Sequence, residues 1–61
     1  MTAKQVMRFL TVAEIAEVLA VSQRSVRRWI ASEELLAHRF GCQVRISEID
    51  FRAFIADRRV V

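Results

Sequence analysis

The segment Thr11-Val12-Ala13-Glu14 constrains this chain most, because it reads as a capping box. A threonine hydroxyl at a helix cap accepts the backbone N–H three residues on, and a glutamate there reaches back to the cap. Ser22, eleven residues later, has the chemistry of a second cap. Between the two, Val12, Ile15, Ala16 and Leu19 recur at the i, i+3, i+4, i+7 spacing of one helical face, and the period breaks at Ala20-Val21. Leu10 and Ile15 have the spacing of a hydrophobic staple across the helix start. A first helix is thus predicted over 12–19, followed by a turn of about three residues and a second helix. Two helices joined by so short a turn cross steeply.

The second predicted helix carries Val26, Trp29 and Ile30 on one side and Gln23, Arg24, Arg27 and Arg28 on the other. Ile15, Ala16, Leu19, Val21, Val26 and Trp29 supply the apolar positions of the crossing, with Ala16 small where the helices must approach. Beyond Ser32, Leu36-Ala37-His38-Arg39-Phe40 leads to the single glycine, Gly41, and Val44-Arg45-Ile46 follows. This predicts a hairpin with its turn near Gly41-Cys42-Gln43. The period of two then puts Phe40, Val44 and Ile46 on the inner face and Arg39 and Arg45 on the outer one. Ser47-Glu48-Ile49-Asp50 opens a last helix, with Ser47 as its cap, two acids at the positive helix end and Ile46 with Phe51 repeating the staple. Phe51, Phe54 and Ile55 form its apolar stripe, and Asp57-Arg58-Arg59 closes it. Residues 1–8 show no period and are expected to form an arm.

Helix, tight turn, helix, two-stranded hairpin and helix is the order of a winged helix-turn-helix: mainly α with a small β-hairpin, one domain over residues 1–61. Sixty-one residues leave no room for a second domain. A chain of this size must fold on its own apolar packing, and 54% hydrophobic residues allow it. One cysteine excludes an internal disulfide framework, and with one histidine the chain lacks the four ligands of a structural zinc site, so no metal and no cofactor is expected. His38 and Cys42 read as wing residues. No apolar run exceeds four residues, as in Val18-Leu19-Ala20-Val21, so a membrane span is not expected and a cytoplasmic location is. A single histidine and no glycine-rich loop offer no nucleophile, base and orienting group, so the chain is not expected to be an enzyme.

The net charge of +3 is unevenly placed. Lys4 and Arg8 cancel Glu14 and Glu17, and Arg52, Arg58 and Arg59 cancel Glu48, Asp50 and Asp57. All the surplus lies over residues 22–45, where Arg24, Arg27, Arg28, Arg39 and Arg45 face only Glu33 and Glu34. Arginine presents a planar fork that matches phosphate and guanine, so the middle third calls for an anionic partner. In a helix-turn-helix that partner is double-stranded DNA. Gln23, Arg24 and Arg27 are the expected base readers, with Arg28, Arg39 and Arg45 on phosphates. Thr11, Ser22 and Ser25 are hydroxyls at helix starts, where phosphate is commonly held.

The residues Leu10-Thr11-Val12-Ala13-Glu14-Ile15-Ala16-Glu17-Val18-Leu19-Ala20-Val21-Ser22, Ser25-Val26-Arg27-Arg28-Trp29-Ile30, Arg39-Phe40-Gly41 with Arg45-Ile46, and Asp50-Phe51-Arg52-Ala53-Phe54-Ile55 together resemble the small excisionase-type domains related to the MerR winged helices. The resemblance spans about residues 9 to 56. Three positions depart from that pattern: Ala20 and Glu33 stand where glycine is usual, and Leu36 where proline is usual. The wing tip, Gly41-Cys42-Gln43, lacks the basic residues common there. The resemblance implies a phage or prophage excisionase, a recombination directionality factor that binds direct repeats cooperatively, bends DNA and directs an integrase toward excision. With no heptad seam and no long apolar helix face left over once the core is closed, the chain is expected to be a monomer in free solution, and copies on direct repeats are expected to meet head to tail. A small transcription regulator with the same reading head, or a protein-interaction module, remains open at this point.

Overall fold

A computed structural model describes residues 7–60. Val12–Leu19 form helix α1 and Gln23–Ala31 form helix α2. The capping box is closed at both ends: Thr11 N–H donates to Glu14 Oε1 at 2.8 Å and Glu14 N–H donates to Thr11 Oγ1 at 3.0 Å. Ala20 ends α1 in the left-handed region, at φ 57°. That conformation lets Ala20 N–H reach Glu17 O at 3.2 Å and Val21 N–H reach Ala16 O at 2.9 Å, the pair of bonds of a Schellman cap. Ser22 then caps α2, its Oγ accepting Ser25 N–H at 3.1 Å.

Phe9–Leu10 form strand β1, His38–Phe40 form β2 and Gln43–Ser47 form β3, in one antiparallel sheet of order β1-β3-β2. The wing is therefore three-stranded, and the N-terminal strand is an element that the sequence periodicity did not reveal. Two residues cannot display a period, and β1 exists because β3 offers it a ladder, with Leu10 opposite Ile46. Of the arm expected over 1–8, residues 1–6 lie outside the described residues; Arg8 O already accepts Glu48 N–H at 2.9 Å.

The hairpin turn is one residue shorter than expected. Phe40 pairs with Gln43, so only Gly41 and Cys42 form the turn, with Gly41 at φ +66° in its first position. Glycine there meets the positive φ that such two-residue turns demand. In this register Arg39 is opposite Val44 and His38 opposite Arg45. Directly opposed residues share a face. Arg39 thus lies on the face of Val44 and Ile46, and Phe40 on the other with His38 and Arg45. The expectation that Phe40 would join the core, and that Arg39 and Arg45 would share a face, is corrected: moving the pairing by one residue sends each side chain of one strand to the other side. Phe40 is 52% exposed, its ring 5.6 Å from that of Phe9.

The core is Ile15 and Ala16 of α1, Val26 of α2, Leu35, Ile46 of β3, and Phe51 and Phe54 of helix α3, which spans Glu48–Asp57. Trp29 packs against it, 5.1 Å from Phe54 between ring centroids. Ser47 caps α3 by accepting Asp50 N–H at 3.0 Å. Besides Phe40, two expected core positions are not in it. Ile55 is 43% exposed, one position past the stripe that Phe51 and Phe54 bury, and Val21 is exposed in the turn. Leu35 replaces them from a loop. Glu33 adopts φ 65°, and Glu34 and Leu35 both donate their N–H groups to Trp29 O, at 2.9 and 3.1 Å, which folds Leu35 back under α2. No helix of the described residues is long and apolar enough to cross a membrane.

Candidate nucleic-acid interface

The apolar side of α2 is committed to the core through Val26, Trp29 and Ile30, so its polar side is forced outward. Arg24 and Arg28, one turn apart, form its exposed crest. Gln23 and Arg27 lie on the flank toward the wing, and Arg27 Nη2 donates to Gln23 Oε1 at 3.3 Å. Ser22 and Ser25 hydroxyls are 3.1 Å apart at the helix start.

A groove of about 400 Å³ runs where the start of α1, the flank of α2 and the wing meet. Thr11, Arg27, Gln43 and Arg45 supply its polar walls, Val12, Ile30 and Val44 its apolar floor, and Cys42 sits at its rim. Arg45 is held in place by its own strand: Nη1 donates to Val44 O at 2.9 Å and Nη2 to Gln43 Oε1 at 3.0 Å. Three sequence-predicted residues, Thr11, Arg27 and Arg45, are thus brought to one place. Arg39 is not among them; it borders a separate small hollow with Ile30, Ala37 and Val44.

Electrostatics separate these arginines from the rest. Among the described residues, none of Arg24, Arg27, Arg28, Arg39 and Arg45 has a carboxylate within 4.0 Å, whereas Arg52 pairs with Glu48 and Arg58 with Glu34. Arg8 and Arg59, near the two ends of the described chain, also have no carboxylate partner among the described residues. The Glu34 carboxyl is held below its ordinary value by the Ser32 hydroxyl first, then by Arg58 and by the more distant charge of Arg28. His38 Nε2 stands 3.5 Å from Asp50 Oδ2, and Cys42 is exposed. Gln43 is the member of the groove that sequence reasoning missed as a site residue. It reads as a turn residue until the register makes it the first residue of β3, with its amide beside Arg45.

Two helices joined by a tight turn, the second one cationic and exposed, backed by an antiparallel wing and a closing helix, define a winged helix-turn-helix DNA-binding domain. The chain belongs to a family of helix-turn-helix domains, whose model matches residues 9–59; the family includes excisionase-like DNA-binding domains. No curated protein and no solved structure matches the chain. Family membership and fold agree on sequence-specific DNA binding as its activity.

Proposed function

We propose that this protein is an architectural DNA-binding factor of the excisionase kind, acting on phage or prophage DNA in the bacterial cytoplasm and directing an integrase toward excision. The observation that carries the DNA-contact part is the set of five arginines on α2 and the wing, none of which has a carboxylate partner among the described residues. Cations left unpaired on the second helix and wing of a small domain favour a polyanion. Gln23 and Arg24, in the first turn of the reading helix, contact base edges. Arg28 and Arg39 hold phosphates to either side, Ser22 and Ser25 hold one at the helix start, and Thr11, Arg27 and Arg45 form the flank toward the wing. The role is binding, without a catalytic step.

A single reading head covers about 600–1,000 Å² and gives modest affinity. Neighbouring copies on direct repeats supply the rest, meeting head to tail and bending the duplex. Such a contact does not close and extends along the DNA, with monomers in free solution. Repeats about 10–10.5 base pairs apart put neighbours on one face of the duplex. Titrating duplexes with one and with three copies of a selected site tests this: per-site affinity is expected to rise on the three-copy duplex. Equal affinity rejects cooperative assembly, and a preformed dimer on a palindrome turns the reading to a transcription regulator. With four or five arginine–phosphate contacts, affinity should fall by about two decades between 50 and 200 mM salt. A flat response leaves only an interaction module.

A further inference from the structure

We infer that the groove between α2 and the wing is a clamp for one backbone phosphate of the duplex, gripped from two sides by Arg27 and Arg45; this rests on the DNA-binding reading above. The inference moves Arg27 from base reading to positioning.

Three observations lead to it. First, Arg27 lies three residues from Arg24 and three from Ile30, on the flank that lines the groove, and not on the crest that Arg24 and Arg28 share. Second, both guanidinium groups are pre-set by neutral acceptors: Arg27 by Gln23, and Arg45 by Gln43 and the Val44 carbonyl. A glutamine amide or a backbone carbonyl orients a guanidinium without cancelling its charge. With five N–H donors each, Arg27 keeps four and Arg45 three that no protein acceptor takes among the described residues. Third, Thr11 Oγ1 accepts Glu14 N–H, while its own O–H has no acceptor among the described residues. The carboxylate of Glu14, three residues from Thr11, is turned back onto Thr11 N–H.

The lining therefore carries two arginines and no carboxylate, above a floor of Val12, Ile30 and Val44 that suits the apolar edge of a deoxyribose. A phosphodiester fits this donor set. It accepts from two forks at once, which fixes the distance between the wing and the reading helix on the DNA and so sets the register at which Arg24 meets the bases. Gln23 and Gln43 act as positioning residues, through the arginines they orient.

Two arginines on one phosphate release one phosphate's worth of counterions, and two on separate phosphates release twice that. The test is the slope of log affinity against log salt for a random-sequence 20-base-pair duplex, read by fluorescence anisotropy between 50 and 200 mM NaCl. Arg27→Ala and Arg45→Ala should each change the slope little on their own, because the remaining arginine still neutralises the shared phosphate, while the double variant Arg27→Ala/Arg45→Ala should lower it by about 0.9. A loss of about 0.9 in each single variant that adds to about 1.8 in the double one overturns the clamp, as does no loss in the double variant. A wild-type chain that does not bind the duplex overturns the DNA-binding reading itself, a different result from binding with additive losses. Circular dichroism checks the folding of each variant, and Arg45→Gln replaces Arg45→Ala if that side chain's methylenes prove necessary to fold.

Discussion

The guanidinium of Arg58 lies 4.0 Å from the centroid of the Phe54 ring. The same group pairs with Glu34, in the loop after α2. Arg58 therefore ties the end of α3 to the segment that delivers Leu35 to the core, and its charge is spent inside the fold. Its sequence neighbour Arg59 has no such role, so two adjacent arginines differ entirely in use.

Arg58→Ala removes a cation–π contact and a half-exposed ion pair together. A loss of about 1 kcal/mol in unfolding free energy is expected, with the salt slope of DNA binding unchanged. Urea denaturation and the duplex titration measure the two. A lowered slope would place Arg58 on the DNA.

Glu34 supplies a pH dependence. Its folded carboxyl titrates below the ordinary 4.5, chiefly through the Ser32 hydroxyl and then Arg58. A depressed carboxylate contributes stability above its unfolded value that disappears as pH falls through the folded one. The melting-temperature difference between wild type and Glu34→Gln should be constant near neutrality and shrink as the pH falls below 4.5. The carboxylate is exposed, so added salt should shrink it too.

Glu33 and Ala20 hold φ values of 65° and 57°, where a side chain is strained. Replacing either by glycine relieves that strain while making the unfolded chain more flexible. The net expectation is neutral to about 1 kcal/mol stabilising for Glu33→Gly and for Ala20→Gly. A clear loss of stability in denaturant titrations would mean that the present side chains make contacts worth more than the strain.

Leu35 and Leu36 are adjacent and chemically identical, yet 1% and 60% exposed. Leu35→Ala should cost about 2–5 kcal/mol, a large part of the stability of so small a domain. Leu36→Ser should stay within about 0.5 kcal/mol of wild type. Similar costs by thermal unfolding would contradict the placement of the loop.

Arg24→Ala should reduce discrimination between a selected duplex and a random one by about 1–3 kcal/mol, as expected for a lost bidentate base contact. Arg27→Ala should weaken both duplexes alike. The reverse outcome would exchange the two roles.

Much of the fold was legible because it rests on bonds between near neighbours. The capping box at Thr11 and Glu14, the caps at Ser22 and Ser47, and the span Val12–Leu19 all depend on residues three or four apart. The arginine surplus over 22–45 is likewise a linear fact. Placing it needed the helix face, and the apolar positions Val26, Trp29 and Ile30 supplied that by elimination.

The remainder depended on partners far away in the chain. Strand β1 has two residues and exists only beside β3. Whether Phe40 or Arg39 faces the core turned on a single residue in the length of the Gly41–Cys42 turn, and composition does not state a turn's length. Leu35 entered the core because two N–H groups converge on Trp29 O after a left-handed residue that is not glycine. The sequence by itself determined which helices form, where they start and which third of the chain is cationic, since periodicity, caps and charge are local properties. Only the tertiary structure decided which arginines share a groove and which are consumed by carboxylates, because a side chain's neighbours across a sheet or between helices follow from register and packing, which are settled by the whole chain at once.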